Sequence, residues 1–370
     1  MKKRILITEP IIDEVIDFLK TDYDVTVGKR GEFSNEQNLI DGLEYIDALL
    51  CMLSTPVSKQ VLENAPNLKI VANHAVGYDN IDVQAARDLG IKVANTPDVL
   101  TESCADFTMG LILSVTRKLV EADQYLREDK FKGWEPLGFV GTELGGRLLG
   151  IVGMGRIGQA VARRATSFGM RIGYHNRNRL DMQLEKELNA TYYSDLTELI
   201  KKTDILSLHC PLTPETRHLI DQNALISMPD HAFLINISRG PVVDEQALAH
   251  ALHNVTIAGA ALDVYEREPI VHPDLLTAPN CILLPHIASA TYDTRKAIGL
   301  LAANAITSVL QGKADSDVSN YSIGNRSLTK LSFEELMNAR EYYQREVVRH
   351  MNEERVRHGK TGSSTIRVRF

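Results

Sequence analysis

Short apolar runs rich in β-branched residues recur along the chain, and between them apolar residues return every three or four positions. Residues 5–8, 48–52, 70–73 and 92–94 have the length and composition of strands, while 11–19 and 58–65 have the spacing of amphipathic helices. A second series of strands follows at 149–152, 171–174, 205–209, 232–236, 257–262 and 282–285. Several are apolar almost throughout, the pattern of strands buried on both faces. The alternation predicts an α/β protein with two doubly wound parallel-sheet domains. Between the two series, residues 102–120 predict a helix connecting the domains. Residues 291–311 predict another that ends at Gly312.

The second series opens on a glycine loop, Gly153-Met154-Gly155-Arg156-Ile157-Gly158, directly after a strand and before a helical pattern. Gly153 permits the tight turn, Gly155 lets backbone approach a pyrophosphate, and Gly158 allows close helix–strand contact. The free N–H groups of the helix start then face the phosphates. Flanking strand and helix are the context that makes this pattern a dinucleotide site. The loop sits mid-chain, preceded by enough sequence for a separate domain. The expected division is a substrate domain from residues 1–100 and 289–315, a cofactor domain at 101–288, and an extension at 316–370. That extension is poor in aliphatic residues; 333–357 could form a charged helix, and 359–370 reads as a frayed end.

Composition narrows the function classes. The 370 residues suit about two domains, and 44% apolar content suffices for real cores. A net charge of −7 does not favour nucleic acid or an anionic membrane surface. The four cysteines, Cys51, Cys104, Cys210 and Cys281, are far apart, which indicates neither a metal site nor a disulfide framework and fits a reducing cytoplasm. The basic residues Lys2, Lys3 and Arg4 precede an apolar run that Thr8 and Glu9 interrupt, so a buried first strand is expected there rather than a signal peptide. No segment approaches the roughly 20 apolar residues of a membrane span.

At the end of the cofactor domain's second strand, an acidic residue ordinarily binds the adenosine ribose hydroxyls. Here Asn176 stands in its place, and Arg177 and Arg179 follow. An amide and two guanidiniums suit a 2′-phosphate, which predicts a preference for NADPH over NADH. Three further polar residues stand at or after the ends of later strands: Arg239, Glu268 and His286. In open α/β sheets, ligands bind at the carboxyl ends of strands. A 2-oxo acid presents a carboxylate and a ketone. Arg239 suits the carboxylate, and His286 suits protonation of the ketone oxygen. Glu268 suits fixing the imidazole tautomer.

These residues and the segments 149–158, 235–245, 259–264 with Glu268-Pro269, and 285–291 resemble the D-isomer-specific 2-hydroxyacid dehydrogenases. The likeness is strongest to their glyoxylate/hydroxypyruvate reductases, and it runs from Lys3 to about Lys313. It implies a Rossmann cofactor domain inserted into a flavodoxin-like substrate domain, and a homodimer formed through the cofactor domain. It also implies that the backbone amides of Val76 and Gly77 bind the substrate carboxylate and that Thr101 lies near the cofactor. Arg156 and Ile157 belong to the cofactor loop. Cys210, Pro211 and Thr216 should border the adenosine end, Ile237 should pack near the nicotinamide ribose, and Asp263 should hydrogen-bond the carboxamide. The expected activity is reduction of glyoxylate or hydroxypyruvate with NADPH, without a metal. An NAD-dependent enzyme acting on 2-ketogluconate or D-lactate, or a dinucleotide-sensing corepressor-like binding protein, are the rival readings. The extension departs from the family, most of whose members stop near Lys313.

Overall fold

In the computed structural model, residues 2–313 are described, together with two short antiparallel strands, Ser322–Ile323 and Arg326–Ser327. The predicted charged helix at 333–357 and the end at 359–370 lie outside the described residues. The first sheet contains β1 (Arg4–Ile7), β2 (Asp24–Val27), β3 (Ala48–Cys51), β4 (Ile70–Asn73) and β5 (Lys92–Ala94). All pairs are parallel, in the order β2-β1-β3-β4-β5. The inner strands β3 and β4 are buried at every position, as their unbroken apolar composition requires. Two elements were not evident from the sequence pattern. β2 is an edge strand that alternates exposed and half-buried positions, and the later edge strand at 190–192 has only 3 residues. Neither carries the apolar run that marks an inner strand.

The second sheet holds β6 (Leu148–Val152), β7 (Arg171–His175), β8 (Ala190–Tyr192), β9 (Ile205–Leu208), β10 (Phe233–Asn236), β11 (Gly259–Leu262) and β12 (Cys281–Leu283). Its order is β12-β11-β10-β9-β6-β7-β8. The strand order reverses between β6 and β9, which leaves a crevice above their carboxyl ends. This is a doubly wound sheet like the first, so the predicted fold class holds. Its core places Leu149, Ile151, Ile172, Tyr174 and Ile235 against the helix Thr101–Thr116.

The chain crosses between the sheets twice. After β5 it enters the helix Thr101–Thr116, which packs on the helix Arg156–Ser167. After β12 it returns through the helix Tyr292–Leu310, whose Ala302, Ala303 and Ile306 join Ile5, Ile7, Leu50 and Ile70 in the core of the first sheet. The predicted helix at 102–120 is broken. It ends at Thr116, Lys118 takes a left-handed φ of 52°, and a new helix runs Leu119–Arg127. A small cluster of Leu100, Cys104, Ala288 and Ile298, with Val76, Ile157 and Ile237 against it, sits where the two crossings meet. Both sheets lie within one compact unit, Met1–Leu310. Among the described residues, no helix is long and apolar enough to cross a membrane.

Candidate active site

The glycine loop joins β6 to the helix Arg156–Ser167 at the crevice. Gly153 has φ 97°, and a β-carbon on it would lie 2.5 Å from the Cys210 amide nitrogen, so the turn presses on the end of β9. A β-carbon on Gly158 would meet the Gly153 carbonyl oxygen at 2.4 Å. Gly155 faces open space, with nothing within 4 Å of where a side chain would point. Beside the loop, the Nδ1 of His209 is buried without a partner among the described residues, while Nε2 meets the Ser207 hydroxyl at 2.8 Å. Burial pushes the His209 pKa down to about 3, so the ring is neutral. An open backbone cradle with an unspent ring nitrogen beside it fits a dinucleotide pyrophosphate and its ribose.

The sequence-predicted residues around this cradle divide by what engages them. Asn176 Oδ1 accepts the Met154 amide at 2.8 Å, so this side chain shapes the loop. Arg179 forms a two-pronged pair with Glu185 at 2.8 Å on each prong and lies over the Tyr192 ring. Hydrogen bonds from Arg179 and Tyr174 outweigh burial and hold the Glu185 carboxyl down at about 2. Arg177, by contrast, is exposed and makes no hydrogen bond or ion pair among the described residues. Arg156 pairs with Asp98 at 2.5 Å, tying the loop to the chain just before Thr101. The Thr216 hydroxyl donates to the Pro211 carbonyl at 2.7 Å and closes the turn after buried Cys210.

Arg239, Glu268 and His286 converge across the cleft between the sheets. Glu268 Oε2 lies 2.9 Å from His286 Nδ1, and Glu268 Oε1 accepts the Tyr265 amide at 3.1 Å. Glu268 is exposed as a residue, yet desolvation where its carboxyl meets His286 opposes its charge; the bond from His286 and the nearby Arg239 outweigh it. The carboxyl therefore sits below the ordinary glutamate value. Arg239 reaches from the second sheet to the first. Its Nε donates to Asp79 at 3.0 Å and its Nη1 to the Ser238 carbonyl at 2.9 Å. A β-carbon on Gly77 would fall 1.6 Å from Arg239 Nη2, so only glycine admits the guanidinium there. The guanidinium thus lies against Gly77, the residue after Val76.

Three buried residues at strand ends, whose part in this arrangement the sequence pattern did not reveal, build it. Asn73 ends β4, and its Nδ2 donates to the Gly77 carbonyl at 2.6 Å. Asn236 ends β10; it accepts the Ser238 amide at 3.0 Å and donates to the Arg239 carbonyl at 3.0 Å. Asp263 follows β11 and is 0% exposed. Its carboxylate accepts the Ile287 amide at 2.8 Å and the Ala288 amide at 2.7 Å. Burial pushes its carboxyl above the ordinary value despite those two amides. Its oxygens thereby hold the segment that presents His286. That residue has φ 57°, a left-handed conformation costing about 1–2 kcal/mol. Two hydrogen bonds at about 0.5–1.5 kcal/mol each offset it. A polar residue closing an otherwise apolar strand was the available signal for all three.

Known proteins share the sequence and the fold that carry this geometry. Residues 109–288 match the family described as D-isomer specific 2-hydroxyacid dehydrogenase, NAD binding domain. The glyoxylate reductase of Thermococcus onnurineus is 44% identical over 329 residues, 88% of this chain and 98% of that protein. The glyoxylate reductase of Aeropyrum pernix is 44% identical over 327 residues, covering 87% and 97%. Among solved structures, the NADPH-dependent glyoxylate/hydroxypyruvate reductase of Sinorhizobium meliloti, in complex with NADP and malonate, superposes with a TM-score of 0.77 at 34% identity. It covers 90% of this chain and 100% of that one.

Proposed function

The protein belongs to the D-isomer-specific 2-hydroxyacid dehydrogenases, NAD(P)-dependent oxidoreductases, and on that premise we propose that it reduces glyoxylate and hydroxypyruvate to D-2-hydroxy acids with NADPH preferred. The observation that carries this reading is the meeting of Arg239, Gly77 and the Glu268–His286 pair over one cleft. Relatives named glyoxylate reductase across almost the whole matched length support the substrate class. In this reading residues 1–100 and 289–315 form the substrate domain, 101–288 the cofactor domain and 316–370 an extension. The chain works as a homodimer in the cytoplasm. The exposed Trp134 and Leu137, 84% and 85% accessible and near exposed Phe131 and Val140 in the chain, support a partner surface.

Val76 and Gly77 offer their amides to the substrate carboxylate, and Arg239 holds that group against them with its fork of donors. The guanidinium also draws charge from the ketone oxygen. As imidazolium, His286 gives its Nε2 proton to that oxygen, and Glu268 on Nδ1 orients the ring and favours its charged form. Reduced nicotinamide, when bound, supplies the hydride. Gly153, Gly155 and Gly158, with Arg156 and Ile157, would hold the pyrophosphate. Thr101, Cys210, Pro211, Thr216 and Ile237 would line the rest of the dinucleotide site. Arg177 would meet a 2′-phosphate, since Arg179 is already spent on Glu185.

A panel of 2-oxo acids assayed with NADPH and NADH tests the reading, with His286→Ala measured beside the wild type. Glyoxylate and hydroxypyruvate should show the highest kcat/KM, and NADPH should outperform NADH. The folded variant should lose roughly 10²–10⁴-fold in kcat, the span of general-acid catalysis. Wild-type reduction should weaken as pH rises, because the proton to be given is lost; oxidation should do the opposite. Faster turnover of another acid with NADH would replace the substrate and cofactor assignments. A variant with near-normal kcat would remove His286 from its role.

A further inference from the structure

Glu245 lies outside the cleft, at the first turn of the helix Glu245–His253, and is buried. A buried carboxylate needs partners, and here both partners are backbone amides of one loop. Oε1 accepts the Glu266 amide at 2.5 Å, and Oε2 accepts the His272 amide at 3.2 Å. The Glu266 carboxylate returns the contact, with Oε1 accepting the Glu245 amide at 3.0 Å. Its other oxygen meets His218 Nε2 at 3.0 Å.

The loop between those two amides carries Glu268. Arg267, Glu268, Pro269 and Ile270 are all exposed, so burial does little to hold them. One end of the loop also packs closely on Gly240. A β-carbon on Gly240 would lie 1.8 Å from the Tyr265 carbonyl carbon and 2.4 Å from the Glu266 nitrogen. The peptide between Tyr265 and Glu266 therefore meets both the residue after Arg239 and the Glu245 carboxylate. Tyr265 adds a third link, donating its hydroxyl to the Leu284 carbonyl at 2.9 Å, two residues before His286.

We propose, on the reading of His286 as proton donor, that Glu245 is a positioning residue: by clamping both ends of the Glu266–His272 loop it keeps Glu268 on His286 Nδ1. It touches neither substrate nor cofactor. Losing one of its acceptors loosens the loop, and Glu268 then spends less time on the ring. His286 also faces Asp263 and has Arg239 nearby, and Glu245 faces Glu266 and His272, with His218, Arg217 and Asp244 around Glu266. None of these except His272 is altered by the variants that test the proposal.

Two variants remove one clamp each. Glu245→Gln keeps size and one acceptor but replaces the other with a donor. His272→Pro deletes the amide and leaves the carboxylate intact, while also removing the Nδ1 that accepts the Asp274 amide at 3.3 Å; its backbone φ of −58° already suits proline. Reductive kcat/KM is followed against pH in the wild type, both variants, Glu268→Gln, Glu245→Gln/Glu268→Gln and His286→Ala. The expected result is that the alkaline fall moves to lower pH by about one unit in Glu245→Gln, the scale of a single lost charge–hydrogen-bond pairing. The rate deficit should be roughly 10-fold above that fall and should shrink in acid. KM for NADPH should stay unchanged. His272→Pro should move the same way by less, and the double variant should fall where Glu268→Gln does. A deficit of equal size at every pH, in whichever variant folds, overturns the proposal and leaves Glu245 a purely structural residue. If His286→Ala itself keeps turnover and the same pH profile, it is the proton-donor reading that fails, whatever Glu245 does.

Discussion

Arg239 shows how much a single side chain carries here. Its Nε is committed to Asp79 and its Nη1 to the Ser238 carbonyl, so the fork is set before any substrate arrives. A lysine has one compact charge and cannot keep both contacts while offering a planar pair of donors. Arg239→Lys should therefore lose one charged hydrogen bond worth about 1.5–3 kcal/mol, or roughly 10–150-fold in kcat/KM for the 2-oxo acid. Steady-state kinetics with glyoxylate reads this directly, and a loss below about three-fold would remove the anchoring role. Arg239, Glu268 and His286 were legible in the sequence because each follows an apolar strand. Asp79 was not, because nothing in its own segment indicates that an arginine 160 residues away reaches it. Arg179 was legible as a cation near the ribose, but its capture by Glu185 depends on a helix folding back six residues later.

At the scale of elements, one device recurs. A parallel strand that is apolar throughout ends in a buried polar residue, and that residue ties down the loop beyond it: Asn73 for Gly77, Asn236 for Arg239, Asp263 for the segment after His286. The strand is rigid because it is packed on both faces. The loop is exposed and inherits order from one or two hydrogen bonds. The glycine loop uses close packing for the same end. In Gly158→Ala the new methyl group would sit 2.4 Å from a backbone oxygen that cannot move without shifting β6. Overpacking of this kind costs about 1–3 kcal/mol. Urea unfolding should show that loss, and calorimetric titration should show NADPH affinity reduced roughly 10-fold, the equivalent of about 1.4 kcal/mol. An unchanged midpoint and Kd would mean that the helix does not need this approach.

At the scale of the whole molecule, the two sheets are joined by crossings on one side, and the functional groups face each other across the gap. Anything that binds the native state and bridges this cleft stabilises it by mass action. NADPH at about a hundred times its Kd should add about 2.7 kcal/mol, seen as a rise in Tm. Arg177→Ala should abolish most of that rise at the same NADPH concentration while sparing the rise given by NADH. An equal response of both proteins to NADPH would remove Arg177 from the 2′-phosphate site. What the sequence by itself determined is local: strand and helix periods, the glycine loop, and the polar residues Arg239, Glu268 and His286 that come after apolar strands. These follow from neighbours within a few positions, where burial and backbone geometry impose a pattern. Only the tertiary structure decided which of those residues meet. The Arg239–Asp79 and Arg239–Gly77 contacts and the Glu245 clamp on the Glu268 loop join segments brought together by sheet order and by the return of the last helix. Such contacts leave no periodic trace in the chain. The same holds for the glycine loop, whose purpose was visible from its spacing but whose pressure on Cys210 exists only because β9 lies beside β6.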